Sequence, residues 1–175
     1  GVRSPSPQLD ALHTPHLHPI ELDVTDDAVV ATAARSFASL DVLINNAAIC
    51  EDEGGRIETL DVERAAAIMQ VNTLGPLRVT KAFLPHLRNG TMKTIVNISS
   101  EAGSITNCWR KGMFGYSISK AGLNMQSKLL HNYLKGDGFR ILSIHPGWMR
   151  TDMGGPNADI DPGEAAEGIY RIVSK

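Results

Sequence analysis

The apolar positions of this 175-residue chain recur with two different periods. Short continuous runs rich in β-branched residues lie at Ile20 to Val24, Val42-Leu43-Ile44, Thr94 to Ile98 and Arg140 to Ile144, and each predicts a strand buried on both faces. Segments with helical spacing lie between and after them. These are Asp26 to Ser39, with Thr25 as its N-cap, then Ile57 to Leu87 with Gly75-Pro76 inside it, Gly115 to Leu134, and Pro162 to Val173. Residues 4 to 19, rich in Ser, Pro and His, read as a loop or a ragged helix edge. Strands alternating with helices predict an α/β domain with a parallel sheet, and ligands of such sheets bind beyond the carboxyl ends of the strands.

Small and polar residues collect at those ends. The first run contains Asp23 and leads into Thr25, the second continues into Asn45-Asn46-Ala47-Ala48, the third into Ser99-Ser100, and the fourth into His145-Pro146-Gly147. Each cluster alone reads as ordinary loop chemistry. Together they mark one edge of the sheet as a ligand site, where the alanines would let a flat ring approach the backbone.

Tyr116 and Lys120 stand four residues apart in the Gly115 to Leu134 segment, so they share one helix face. A free phenol, with a pKa of about 10, is a poor acid or base near neutrality. An ammonium beside it would favour the phenolate and make Tyr116 a usable proton donor or acceptor. By itself the pair also describes a solvated helix face.

Composition narrows the class. The chain is 42% hydrophobic with a net charge of −2, which fits one globular domain and gives no sign of a nucleic-acid or anionic-membrane partner. Two cysteines, Cys50 and Cys108, form neither a disulfide framework nor a zinc spacing, and a cytoplasmic location is expected. No apolar run approaches the ~20 residues of a membrane span. His13, His16 and His18 cluster without a third spaced ligand or acidic partner, so no metal site is expected.

The ordered set Asp23-Val24-Thr25, Asn45-Asn46-Ala47-Ala48, Val71-Asn72, Asn97-Ile98-Ser99-Ser100, Tyr116 with Lys120, and Pro146 through Met153 resembles the short-chain dehydrogenase/reductase family. The wording around Tyr116 is most similar to the branch of C-factor-like proteins and small carbonyl reductases. The resemblance implies a doubly wound, Rossmann-like parallel sheet and hydride transfer between a nicotinamide cofactor and a small carbonyl or alcohol substrate. It assigns proton exchange to Tyr116, and to Lys120 both the lowering of its pKa and the binding of the nicotinamide ribose. Ser100 would polarise the carbonyl and Asn72 would position a relay water. The resemblance implies Ser100 rather than Ser99, since the family uses the second serine of this motif; adjacent strand residues face opposite sides, so only one of the two can face the site. Asp23 and Val24 would contact adenine, and the backbone at Asn45 and Ala47 the adenosine ribose. Pro146, Gly147, Met149 and Thr151 would lie on the nicotinamide side. Arg3 falls where the family reads the 2′-phosphate of NADP, which a guanidinium suits; a loose terminal arginine is the alternative, and NAD stays open. The resemblance also allows a homodimer through the helices bearing Asn72 and Tyr116, with a monomer as the alternative.

The family's opening strand, glycine-rich turn and helix have no counterpart in residues 1–175. One partial domain is therefore expected, lacking the first βα unit, as a fragment of an active enzyme. A non-catalytic nucleotide-sensing or signalling protein of the same fold, and an inactive fragment, are the rival readings. Trp109, Met113 and Phe114, tethered between Ser100 and Tyr116, would either wall an apolar substrate pocket or pack under their loop. Trp148 and Met153 would add a second wall, and residues 154–161 a lid.

Overall fold

The computed structural model describes residues 14–51 and 55–175. Helix α1 (Asp27–Ala34) is capped by Asp26, whose carboxylate accepts the N–H groups of Ala28 and Val29. Strand β1 (Val42–Asn45) follows, then a helical run made of α2 (Val62–Met69), a π turn (Gln70–Leu74) and α3 (Gly75–Arg88). Strand β2 (Thr94–Ile98), helix α4 (Phe114–Leu134), strand β3 (Arg140–Ile144) and helix α5 (Pro162–Val173) complete the order. The three strands form a parallel sheet in the order β1-β2-β3, pairing Leu43 with Ile95 and Ile95 with Ile141.

Period-two alternation divides the core. Ile95, with Leu43 and Ile141, meets Leu87 of α3 and Leu134 of α4. Val96 and Ile98, with Val42, Leu142 and Ile144, meet Ile169 and Val173 of α5 on the other face. Helices thus cover both faces of a parallel sheet, as in doubly wound folds. A third cluster joins Val30, Ala33 and Ala34 of α1 to Val79 and Phe83 of α3.

Four expectations change. Ile20 to Val24 carries a single bridge at Glu21 and no strand. Ile20, Leu22 and Val24 bury instead against the α1–α3 cluster, and Asp23 bends the chain by accepting both the N–H and the hydroxyl of Thr25. Thr25 is therefore engaged with Asp23, and Asp26 is the helix cap. The helix ends at Ala34 rather than Ser39, because tight turns from Ser36 and Phe37 back to Ala33 and Ala34 swing Phe37 onto Phe83, with ring centroids 5.6 Å apart. Ile44 is 48% exposed, because β1 lacks helix cover on that side among the described residues.

The π turn has a local cause. Pro76 has no N–H, so the bond it would give the Asn72 carbonyl in α register is missing, and the helix widens there. Gly75 sits where a Cβ would fall 2.8 Å from Val24 Cγ2, which lets the widened turn lie against the Ile20 to Val24 segment.

Candidate active site

The site is built where β2 ends against α4. The Ser99 N–H bonds Ile144 O at 2.7 Å, holding the ends of β2 and β3 together. The hydroxyl of Ser99 turns into α4 and donates to Asn124 Oδ1 at 2.7 Å. Ser100 faces away from it. Its Oγ accepts the Ala102 N–H at 3.1 Å, capping a short 3₁₀ turn (Glu101–Gly103).

Burial raises the Tyr116 pKa and the nearby Ser100 side chain opposes it. Cys50 and Glu101 push it further up, and Arg110 pulls it down. The Lys120 ammonium lies 5.7 Å from the centroid of the Tyr116 ring. The net direction of the Tyr116 shift is upward. Lys120 itself is 3% exposed and donates to Ile98 O at 2.8 Å. Burial lowers its pKa from 10.5 to about 8. An ammonium has three donors, so one held by Ile98 leaves others for a ligand.

Asn72, wholly buried in the π turn, uses its amide on protein groups. Its Oδ1 accepts the Ile49 N–H at 2.8 Å, and its Nδ2 donates to Ile49 O at 2.9 Å and to Ser119 Oγ at 3.1 Å. The side chain pins the segment after β1 to α4.

Asp23, Val24, Asn45 and Ala47 come together along a groove of about 640 Å³ that runs from the α1–α3 cluster along β1 to Ile49 and Val71, beside Asn72. The Asn45 side chain points inward, donating to Asn97 Oδ1 at 2.8 Å and to Thr80 Oγ1 at 3.3 Å, so any ligand contact there falls to backbone. Pro146, Gly147, Met149 and Thr151 do not line this groove. They belong to a loop beyond β3 that bonds largely to itself. Met149 bridges Ile160 in parallel, and Thr151 Oγ1 accepts the Gly154 N–H at 3.2 Å. Gly147 has φ +90°, and a Cβ there would fall 2.2 Å from Ile160 Cδ1. Arg3 and His13 lie outside the described residues. Among the described residues no group of three His, Cys, Asp or Glu could hold a metal, and no helix is long and apolar enough to cross a membrane. Trp109 is 72% exposed and so is not packed under its loop.

Three site-building residues escaped the sequence reading. Ser119 links Asn72 to the Tyr116 carbonyl, donating to the latter at 2.7 Å. Asn124 ties Ser99 and Ser143 to α4. Gly103 packs so closely on α4 that a Cβ would meet the Lys120 carbonyl carbon at 2.6 Å. Ser119 and Asn124 had one available signal, since they share the helix face of Tyr116 and Lys120 at spacings of three and four residues.

Residues 5–160 match the family model described as short chain dehydrogenase. The chain is 39% identical to C-signal of Myxococcus xanthus over 147 residues, 79% of this chain and 87% of that protein. Among solved structures, it resembles carbonyl reductase Sniffer of D. melanogaster with 30% identity and a TM-score of 0.89, covering 96% of this chain and 75% of the other. It also resembles NADPH-bound carbonyl reductase from chicken fatty liver, with 33% identity and a TM-score of 0.85, covering 96% and 73%. Of three longer curated relatives at 36–39% identity it spans only 33%, 57% and 48%. With its parallel sheet, its Ser100–Tyr116–Lys120 grouping and these matches, the chain belongs to the short-chain dehydrogenase family.

Proposed function

We propose that this chain carries the reaction half of an NADP-dependent reductase of aldehydes or ketones. The observation that carries the reading is the Ser100 side chain at the Tyr116 phenol, whose ionisation it eases, with the Lys120 ammonium beside the same ring. When bound, the dihydronicotinamide supplies the hydride. Tyr116 gives its proton to the substrate oxygen as charge develops there, and Ser100 stabilises that oxygen by hydrogen bonding. Lys120, with donors beyond the one spent on Ile98, would hold the nicotinamide ribose.

The described residues fit the two ends of a dinucleotide: Lys120 for the nicotinamide riboside, and the groove at Asp23, Val24 and Ala47 for the adenosine. No glycine-rich turn between a strand and a helix, of the kind that cradles a pyrophosphate, occurs among them. NADPH bound to the chicken carbonyl reductase favours NADP over NAD. Exposed Ile118, Met125 and Leu129 on α4 favour a homodimer, which sedimentation would test.

The purified chain is titrated with NADPH and NADH by nicotinamide fluorescence and then screened against small carbonyl compounds. Saturable NADPH binding with turnover is expected, and changing Tyr116 to Phe should cut turnover by about 10²–10⁴ while binding persists, the range of a lost general acid. Turnover that survives Tyr116→Phe sinks the reading. A signalling role is the second reading, favoured by the span of 87% of C-signal. It predicts a biological effect of the chain that persists in Tyr116→Phe.

A further inference from the structure

Glu101 directly follows Ser100 and opens the 3₁₀ turn. Its carboxylate receives both arms of the Arg110 guanidinium, Nη1 to Oε2 at 2.9 Å and Nη2 to Oε1. This fork-to-fork pairing is the strong, directional form of an ion pair. The guanidinium also lies over the Trp109 ring, 4.6 Å from its centroid, so it is fixed from two sides. The pair therefore closes the loop between the serine and the tyrosine of the site back onto its own first residue. Gly112, near the far end of that loop, approaches Gly55 so closely that a Cβ would meet Gly55 O at 2.6 Å.

We propose that Glu101 and Arg110 are positioning residues for Tyr116: a clasp that fixes the Ser100-to-Tyr116 loop and whose two opposite charges offset each other at the phenol. Both charges are felt there, the guanidinium easing ionisation of Tyr116 and the carboxylate resisting it. Arg110 and, more weakly, His145 just beyond β3 hold Glu101 in its charged form. Glu101, and more weakly Cys108 and Tyr116, stabilise the charge on Arg110. The other groups facing the phenol are Cys50 from the segment after β1, Ser100 from the end of β2, and Lys120 on the same helix. An exposed ion pair elsewhere on the surface would contribute little. This pair differs in its place, because breaking one partner leaves a single uncompensated charge beside the proton-carrying group.

The clasp deepens the reductase reading, but its test needs no turnover. The chain has three tyrosines, Tyr116, Tyr133 and Tyr170. With ring-labelled tyrosine, NMR follows each phenol through its titration, and Tyr116→Phe identifies the Tyr116 signal. Glu101→Gln, which keeps the shape and leaves Arg110 unopposed, should move the Tyr116 midpoint to lower pH. Arg110→Met, which leaves Glu101 unopposed, should move it to higher pH. The double variant should return it towards the parent. A merely structural pair would loosen the loop in either single variant and move the midpoint the same way in both. Shifts of the same sign, or none, overturn the proposal. If Arg110→Met does not fold, Glu101→Gln alone decides, and an unmoved or raised midpoint refutes the clasp. Opposite shifts without carbonyl reduction keep the clasp and sink the reductase reading; turnover with unmoved midpoints does the reverse.

Discussion

Replacing Asn72 with alanine tests its side chain as a structural pin. The amide satisfies both backbone groups of Ile49, at 2.8 and 2.9 Å, and donates to Ser119 Oγ at 3.1 Å, in a residue with 0% exposure. Alanine removes all three bonds. Each of the two Ile49 groups loses about 1 kcal/mol, the low end for unsatisfied groups because this contact is only partly buried. Ser119 keeps its bond to the Tyr116 carbonyl, so its loss is smaller. The space left by the amide adds about 1 kcal/mol. The sum is about 3 kcal/mol, which lowers a urea midpoint by about 1.5 M at a slope of about 2 kcal/mol/M. Asn72→Asp should cost at least as much, because it places a carboxylate oxygen against Ile49 O. Equilibrium urea unfolding, followed by circular dichroism with the slope checked for constancy, gives the number. An Asn72→Ala protein within about 0.5 kcal/mol of the parent would refute the pin.

Three further predictions follow from the same geometry. Lys120, lowered to about 8 from 10.5, releases its proton in the folded chain before the unfolded one does, so between those two pH values folding stability rises with pH and is lost again as pH falls. The linked change is about 3 kcal/mol, and Lys120→Met should abolish that slope when unfolding is compared at both ends of the window. Gly103→Ala forces a Cβ to within 2.6–2.8 Å of the α4 backbone at Lys120 and Ala121, where nothing flexible can yield; a loss of about 1–3 kcal/mol in thermal unfolding is expected, together with a changed Tyr116 titration. Asp41 accepts the Thr91 N–H, the Thr91 hydroxyl and the Met92 N–H, which hold its carboxyl below the usual range. Its contribution is present above the unfolded pKa and lost as pH falls through the folded one, so Asp41→Asn should flatten the acid limb of a stability–pH curve.

What the sequence conveyed depended on whether a pattern carried its own partner. Thr94 to Ile98 is buried at every position, so its β-branched run could only be a central strand. Pro162 at the first turn and Asp161 before it bound α5 to the residue, with Asp161 accepting the Gly163 N–H. Ile20 to Val24 has the same apolar character, but an apolar run states only that both sides are covered, not by what. Here the cover among the described residues is α1 and α3. Nor could the sequence show that Ile44 faces outward, since that depends on which helices reach β1. The left-handed Met113 (φ 58°) before α4 was equally invisible, because a methionine gives no turn signal.

The site was legible where one helical spacing met one strand end, and that coincidence extends further than the pair that revealed it. Tyr116, Lys120, Asn124 and Ser127 repeat at four, four and three residues along α4, one polar stripe on a helix face. An amphipathic reading would turn such a stripe to water, yet Lys120 and Ser127 are buried. Three of them find a hydrogen-bond partner at the end of β2 or just beyond it, Ser127 with Asn97, Lys120 with Ile98 O and Asn124 with Ser99, and Tyr116 stands by Ser100. A helix held only by apolar contacts could slide along the strand at little cost, since a leucine fits many hollows. A row of buried hydrogen bonds has no adjacent register in which every member is satisfied, and an unsatisfied member is costly at low dielectric. The stripe therefore fixes where along β2 the phenol stands. On this argument Ser127, remote from the reacting oxygen, belongs to the machinery that places Tyr116 against Ser100, and the inward-facing polar positions of α4 are as informative about the chemistry as the tyrosine itself.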